Sequence, residues 1–138
     1  MPYMAFTDEW AHAWGDALSA DAEYRRAAHA WHWPILITVQ PDAQRNLPVS
    51  RSVYLDVQFG VCVQAREAQA ADYESAPYHL TADLKTWEAV LRGELDPIMG
   101  IMRGKLRLER GSVASLLPYV AAARRMVFAA TQVETTFP

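Results

Sequence analysis

The sequence predicts an α+β fold, a single sheet with helices packed on one of its faces. Three observations predict it. Short β-branched or alternating apolar segments recur between residues 35 and 82 and again at 105–110. Apolar residues at helical spacing flank them on both sides. The order is helix, three strands, a further strand, two helices, a strand and a helix, so the element types are partly segregated rather than strictly alternating.

The elements follow in order. Thr7 or Asp8 can cap a first helix, with acidic residues in its first turn where the helix dipole favours them. Trp10, Trp14, Leu18 and Ala22 recur every four residues and make one apolar stripe. Ser19 and Asp21 interrupt it, which predicts two short helices, and Pro34 closes a helical segment spanning 7–33. "ILITV", Ile35 to Val39, reads as a buried strand. "QPDAQRNLPVS" is a loop by composition. In "RSVYLDVQF", Val53, Leu55, Val57 and Phe59 face one way and Tyr54, Asp56 and Gln58 the other, a half-buried strand. Gly60 permits a tight turn into "VCVQAR". "APYHLTAD" supplies a fourth strand, with Tyr78 and Leu80 on one face.

Thr81 or Asp83 caps the next helix, whose apolar stripe is Leu84, Trp87, Val90 and Leu91, and Gly93 ends it. Asp96 caps a second short helix with Pro97 at its first position, and Gly104 ends that one. "KLRLER" is a fifth strand with Leu106 and Leu108 inward. A last helix runs from Gly111-Ser112 to about Val133, with Pro118 placing its true start near Leu116 or Leu117. The stretch "GELDPIMGIMRGKLRLERG" therefore combines glycine and proline punctuation with greasy residues because it holds two short capped helices. Met102, near the end of the second, shares a face with Ile98, and this pair is expected to lie over an apolar cavity as a lid.

The 138 residues suit one domain. A composition 51% hydrophobic excludes intrinsic disorder. A net charge of −3 argues against nucleic acid. No uninterrupted apolar run approaches the roughly 18 residues of a membrane span. "MPYMAFTDEW" does not read as a secretory signal, and Cys62, the sole cysteine, cannot form an internal disulfide, so a cytoplasmic setting is expected.

The ordered set Gly93, Leu95, Asp96, Pro97, Met102, Gly104, Lys105 and Leu106, within "WEAVLRGELDPIMGIMRGKLRLERGSVASLL", resembles the sterol carrier protein-2 (SCP-2) sterol-binding domains. "RSVYLDVQFG" and "YHLTAD" fall where that family's strands fall, and the tryptophan-rich N-terminal helix is similar to small bacterial single-domain members. The resemblance implies a five-stranded mixed sheet, helices on one face, and an apolar tunnel between the layers that binds fatty acyl chains, acyl-CoA or sterols. It implies no catalytic motif and no cofactor. The ligand-facing residues on this reading are Trp87, Val90, Leu91, Leu95, Ile98, Met99, Met102, Leu106, Leu117, Val120, Met126 and Val127. Two departures stand out: Gly100 replaces a larger small residue such as alanine, and the end "ETTFP" carries no peroxisomal tail signal.

Plainer readings accompany these. Met99, Met102 and Met126 suit a cavity wall or ordinary core. His29 and His32 lack further ligands at metal spacing, and His12 and His79 are too scattered to supply them. Asp96 beside Glu94 reads as a cap rather than half of an acid/base pair, and Cys62 as a structural thiol. Arg103, Lys105, Arg107, Arg124 and Arg125 form either a solvated face or a clamp for an anionic head group. The rival functions are a structural or interaction module with a filled core, which a homodimer would suit, and an accessory to an enzyme acting on hydrophobic substrates.

Overall fold

The computed structural model describes residues 2–138. A two-residue strand β1 (Tyr3–Met4) leads into α1 (Asp8–Ser19). Thr7 caps α1 by accepting from the Trp10 N–H, and Trp10, Trp14 and Leu18 turn to the core. The expected break follows. Asp21 accepts from the Glu23 and Tyr24 N–H groups and starts α2 (Ala22–Ala27), which ends earlier than the predicted 33.

The sheet is built from β2 (Ile35–Val39), β3 (Arg51–Gln58), β4 (Val61–Glu67), β5 (Tyr78–Ala82) and β6 (Arg107–Arg110). Its order is β4-β3-β2-β5-β6, with β2 and β5 parallel and the other pairings antiparallel, so it is five-stranded and mixed as the resemblance implied. β2 is central and wholly buried, which explains its continuous apolar run. β3 and β4 form the hairpin that Gly60 predicted. Phe59 and Gly60 take φ of 53° and 83°, the double left-handed bend of a two-residue hairpin loop. This corrects one assignment: Phe59 belongs to the turn and is 58% exposed, not on the inward face.

One element is new. α3 (Asp72–Ser75) covers part of the sheet's other face, held by the Arg66–Asp72 ion pair at 2.7 Å and by Arg110, which donates to the Tyr73, Glu74 and Ala76 carbonyls. α4 (Leu84–Leu91) buries Leu84, Trp87, Val90 and Leu91 as expected, and its cap is Asp83. α5 (Pro97–Met102) is capped by Asp96, which accepts from the Ile98 and Met99 N–H groups. Both helices end in the same motif. Gly93 N donates to Val90 O and Glu94 N to Ala89 O; Gly104 N donates to Ile101 O and Lys105 N to Gly100 O. The two glycines have φ of 78° and 76°. That closing turn consumes Lys105 and Leu106, so β6 starts two residues later than "KLRLER" suggested. Leu106 folds back against Gly100, where an added Cβ would lie 2.9 Å from Leu106 Cδ1.

The final helix is split. α6 (Val113–Leu116), a 3-10 turn at Leu117–Tyr119 and α7 (Val120–Thr131) replace one continuous run, because Pro118 has no N–H to donate. By length and composition Val113–Thr131 could cross a membrane, and 17% of its most apolar 18 residues are buried. No unbroken apolar run marks this segment in the sequence, because Ser115, Pro118, Arg124 and Arg125 interrupt it. A last strand, β7 (Thr135–Thr136), pairs with β1 and brings the two ends together. The main core lies between the sheet and the layer of α1, α4 and α7.

Candidate functional site

A cavity of about 90 Å3 lies between the sheet and the helices. Its floor is Ile35, Ile37, Leu55 and Leu80, the inward positions of β2, β3 and β5. Trp14 of α1 and Trp87, Val90 and Leu91 of α4 form one side. Pro97, Ile98 and Ile101 of α5 close it above, and Leu116, Ala123, Met126 and Val127 complete the wall. A smaller chamber of about 40 Å3 adjoins it, lined by Tyr24, Ala28, Trp31, Ile35, Leu116, Tyr119, Ala122, Ala123 and Met126. Ile35, Leu116, Ala123 and Met126 stand in both walls, so these four side chains are the partition.

The walls present carbon. The tryptophans carry polar N–H groups, yet each is satisfied away from the space. Trp14 Nε1 donates to Met126 O at 2.9 Å, Trp31 Nε1 to Trp33 O at 2.7 Å and Trp87 Nε1 to Thr38 O at 2.8 Å. The first of these also pins α7 to α1. No Asp, Glu, Lys, Arg or His among the described residues lines either chamber. The Tyr24 phenol, at the end of the smaller chamber, is raised above its usual range, first by burial and then by the neighbouring Cys62, so it stays neutral. Cys62 itself is half-buried on β4, outside both walls. Burial pushes its thiol up to about 11, with Asp56 adding and the Gln64 N–H opposing, which leaves it a poor nucleophile at neutral pH.

The structure brings together six of the twelve expected ligand-facing residues: Trp87, Val90, Leu91, Ile98, Met126 and Val127. Leu95 and Leu106 pack around Gly100 instead, and Val120 is half-buried outside both walls. Met99, Met102 and Leu117 are 42%, 62% and 50% exposed. The expected Ile98–Met102 lid face is therefore corrected. In this six-residue helix the inward pair is Ile98 and Ile101, and the outward pair is Met99 and Met102. The floor residues and Ala123 were missed, though signals existed. Strand alternation marks Ile35, Ile37, Leu55 and Leu80 as inward. Leu116 lies seven residues before Ala123 and eleven before Val127, close to two and three helical turns, whereas Leu117 falls off that line.

The cationic residues divide. Arg124 Nε lies 2.6 Å from Asp96 Oδ2, tying α7 to the cap of α5. Burial by itself would raise the Asp96 carboxyl, but Arg124 and the Met99 and Ile98 N–H groups hold it below the ordinary carboxylate value. Arg125 pairs with Asp21 at 2.9 Å and Glu23 at 3.2 Å and lies over Phe128. Arg107 reaches Glu109 at 3.7 Å. Arg103 and Lys105 are exposed, and neither has an ion-pair partner among the described residues. No cluster of three or more His, Cys, Asp or Glu suited to a metal ion occurs among the described residues.

The comparisons with known proteins agree with this geometry. The model of the SCP-2 sterol transfer family matches residues 15–114. No curated protein sequence matches the chain. Among solved structures, a sterol carrier protein 2 is 37% identical, with 94% of this chain and 98% of that one covered and a TM-score of 0.85. A conserved hypothetical protein from Thermus thermophilus is 35% identical, with 99% and 94% covered and a TM-score of 0.87. Sterol carrier protein-2 from Aedes aegypti, solved with palmitate, shares the fold at 17% identity, with 87% and 98% covered and a TM-score of 0.52.

Proposed function

The chain belongs to the SCP-2 sterol transfer family, and from that membership we propose that it is a non-enzymatic carrier for the hydrocarbon of a fatty acid, an acyl-CoA or a sterol-like molecule. The observation that carries this is the two-chambered space between sheet and helices, whose walls hold no charged group among the described residues. Such a space binds through burial, at about 0.8 kcal/mol per methylene, and discriminates weakly among chains of similar width. The fatty-acid complex of the Aedes aegypti neighbour supports the choice of an acyl chain. The carbon-only walls of the larger chamber, without acid, base or nucleophile among the described residues, favour carriage over catalysis.

Size decides how the ligand enters. A methylene fills about as much space as a water molecule, roughly 30 Å3. A water needs only roughly 10–15 Å3 of such cavity space, so the two chambers hold about ten methylene-sized groups, fewer than a chain of 16 carbons. Binding must open the partition at Met126 and Leu116 and lift part of the helical layer. A filled structural core is the rival, and displacement separates the two. A fluorescent fatty acid is titrated into the protein and competed with unlabelled acids of increasing length. Saturable binding that strengthens with chain length is expected. Failure of every chain to bind more tightly than about 1 mM, roughly −4 kcal/mol, overturns the carrier reading.

A further inference from the structure

We propose that the Tyr24 phenol receives the uncharged oxygen head of the carried lipid, a hydroxyl or a carbonyl, so that the head lies in the smaller chamber and the hydrocarbon in the larger one. This deepens the carrier reading and rests on it. Three observations carry it. The first is an unpartnered polar atom. Tyr24 lines the smaller chamber and is 1% exposed. No described residue makes a hydrogen bond to its phenol, whereas Trp14, Trp31 and Trp87 in the same walls all donate to carbonyls. Packing does not seal the phenol oxygen either. The fully enclosed side-chain atom left without a partner among the described residues is Arg125 Nε. Tyr24 Oη therefore borders open space, and in a residue so deeply buried that space is the chamber. A buried hydroxyl without a partner is costly, and a ligand oxygen removes that cost.

The second observation is the division of polarity. The N–H groups that the larger chamber's side chains carry, on Trp14 and Trp87, are already bonded elsewhere. The smaller chamber holds the phenols of Tyr24 and Tyr119, the second set edge-on to Trp31 with ring centres 5.0 Å apart. A lipid lying through the partition is thus offered its hydrogen bond at one end. Water is a poor occupant there, because it needs several polar partners and the rest of the wall is hydrocarbon and indole. The third observation is charge and size. No Asp, Glu, Lys, Arg or His among the described residues lines either chamber, so an ionised carboxylate or phosphate would be buried without a counter-charge. At roughly 10–15 Å3 per water-sized group, the about 40 Å3 of the smaller chamber takes an oxygen and about two carbons.

Ligands of about ten carbons suit the two chambers together and can differ in their heads alone. Decane, 1-decanol and decanoate, at about pH 8, each compete with a fluorescent fatty acid for wild type, Tyr24→Phe and Tyr119→Phe. Tyr24→Phe is expected to weaken 1-decanol roughly tenfold, the loss of one buried hydrogen bond. Decane, which has no head, binds both proteins alike. So does decanoate, whose carboxylate stays in water with its chain reversed. Tyr119 is only half-buried, and Tyr119→Phe leaves all three unchanged. Ligand-free Tyr24→Phe melts at or above the wild-type temperature, because its phenol gives up no protein hydrogen bond. The proposal is overturned by 1-decanol that binds wild type and Tyr24→Phe equally, or by decane or decanoate that Tyr24→Phe weakens as much as 1-decanol. A lowered Tm of ligand-free Tyr24→Phe overturns it too, since the phenol would then be bonded within the protein. Each of these outcomes leaves the carrier reading standing so long as the ligands bind. If neither the fluorescent acid nor any ten-carbon ligand binds, the carrier reading fails and this proposal fails with it.

Discussion

Ala123 stands in the walls of both chambers, so Ala123→Leu tests the cavity with a calculable effect. The substitution adds three carbon groups, which the about 90 Å3 of the larger chamber can accommodate. Empty apolar space costs about 24 cal/mol per Å3, so filling it stabilises the ligand-free protein by up to about 2 kcal/mol. Any imperfect rotamer reduces that gain. Leucine follows alanine closely in helix propensity, so α7 itself is little affected. For a domain of this size the gain is a rise of roughly 6 °C in Tm.

The same atoms exclude ligand. Room for three methylenes is lost, at about 0.8 kcal/mol each, which weakens fatty-acid binding roughly 50-fold. Calorimetry of ligand-free protein and displacement of a fluorescent fatty acid read the two effects independently. A raised Tm with wild-type affinity would place the ligand elsewhere. A lowered Tm with wild-type affinity would mean that the chamber is neither empty nor the binding site.

Two further outcomes follow from the backbone and from acid. Gly104→Ala costs about 1 kcal/mol, since φ is 76° while nothing lies within 4 Å of the added Cβ. Gly60→Ala costs more, because its Cβ would lie 2.5 Å from the Arg25 carbonyl oxygen. Denaturant melts that rank the pair in reverse would refute the local geometry. The hydrogen bond from Arg66 holds the Asp72 carboxyl below its ordinary value of 3.8, burial opposing and the Gln69 N–H assisting. A carboxyl with a depressed folded-state pKa contributes stability that is complete above 3.8 and is lost as pH falls through the folded value. Stability measured from about pH 6 to about pH 2 should therefore fall on acidification, and Asp72→Asn should be less stable at neutral pH with a shallower acid limb. An acid limb unchanged by Asp72→Asn would remove this ion pair from the account.

Local chemistry made most of the fold legible. Asp21, Asp83 and Asp96 cap helices because their side chains reach the free N–H groups, a rule that needs only sequence. The strands followed from alternation, which the pleat enforces. What could not be read was set by distant partners. α3 is four residues long and exists because Arg66 and Arg110, on separate strands, hold it. The β1–β7 pair joins the two ends of the chain, Tyr3 beside Thr135. At the cavity, the spacing from Ile98 points Met102 inward, and the family resemblance does the same for Leu117. The final turn of α5 and the Pro118 interruption put Met102 and Leu117 outside, and Ile101 and Leu116 took the wall.

Those two interruptions locate where the cavity can enlarge. α4 is fixed: four large side chains are buried and the Trp87 N–H is bonded to the Thr38 carbonyl of the central strand. α5 is held differently. It has six residues, too few to be helical by propensity, and only Ile98 and Gly100 are buried. Its form comes from local ends, the Asp96 cap and the Gly104 turn, which travel with it when it moves. Gly93 and Gly104 bracket it as joints already outside ordinary backbone space. Its ion pair to α7, Arg124–Asp96, is solvent-exposed on the arginine side and contributes no more than about 1 kcal/mol. Two buried methylenes of a ligand, at about 0.8 kcal/mol each, already exceed that tie. A chain that enters this space is therefore expected to displace α5 before α4, with Ile98 and Ile101 as the side chains that move.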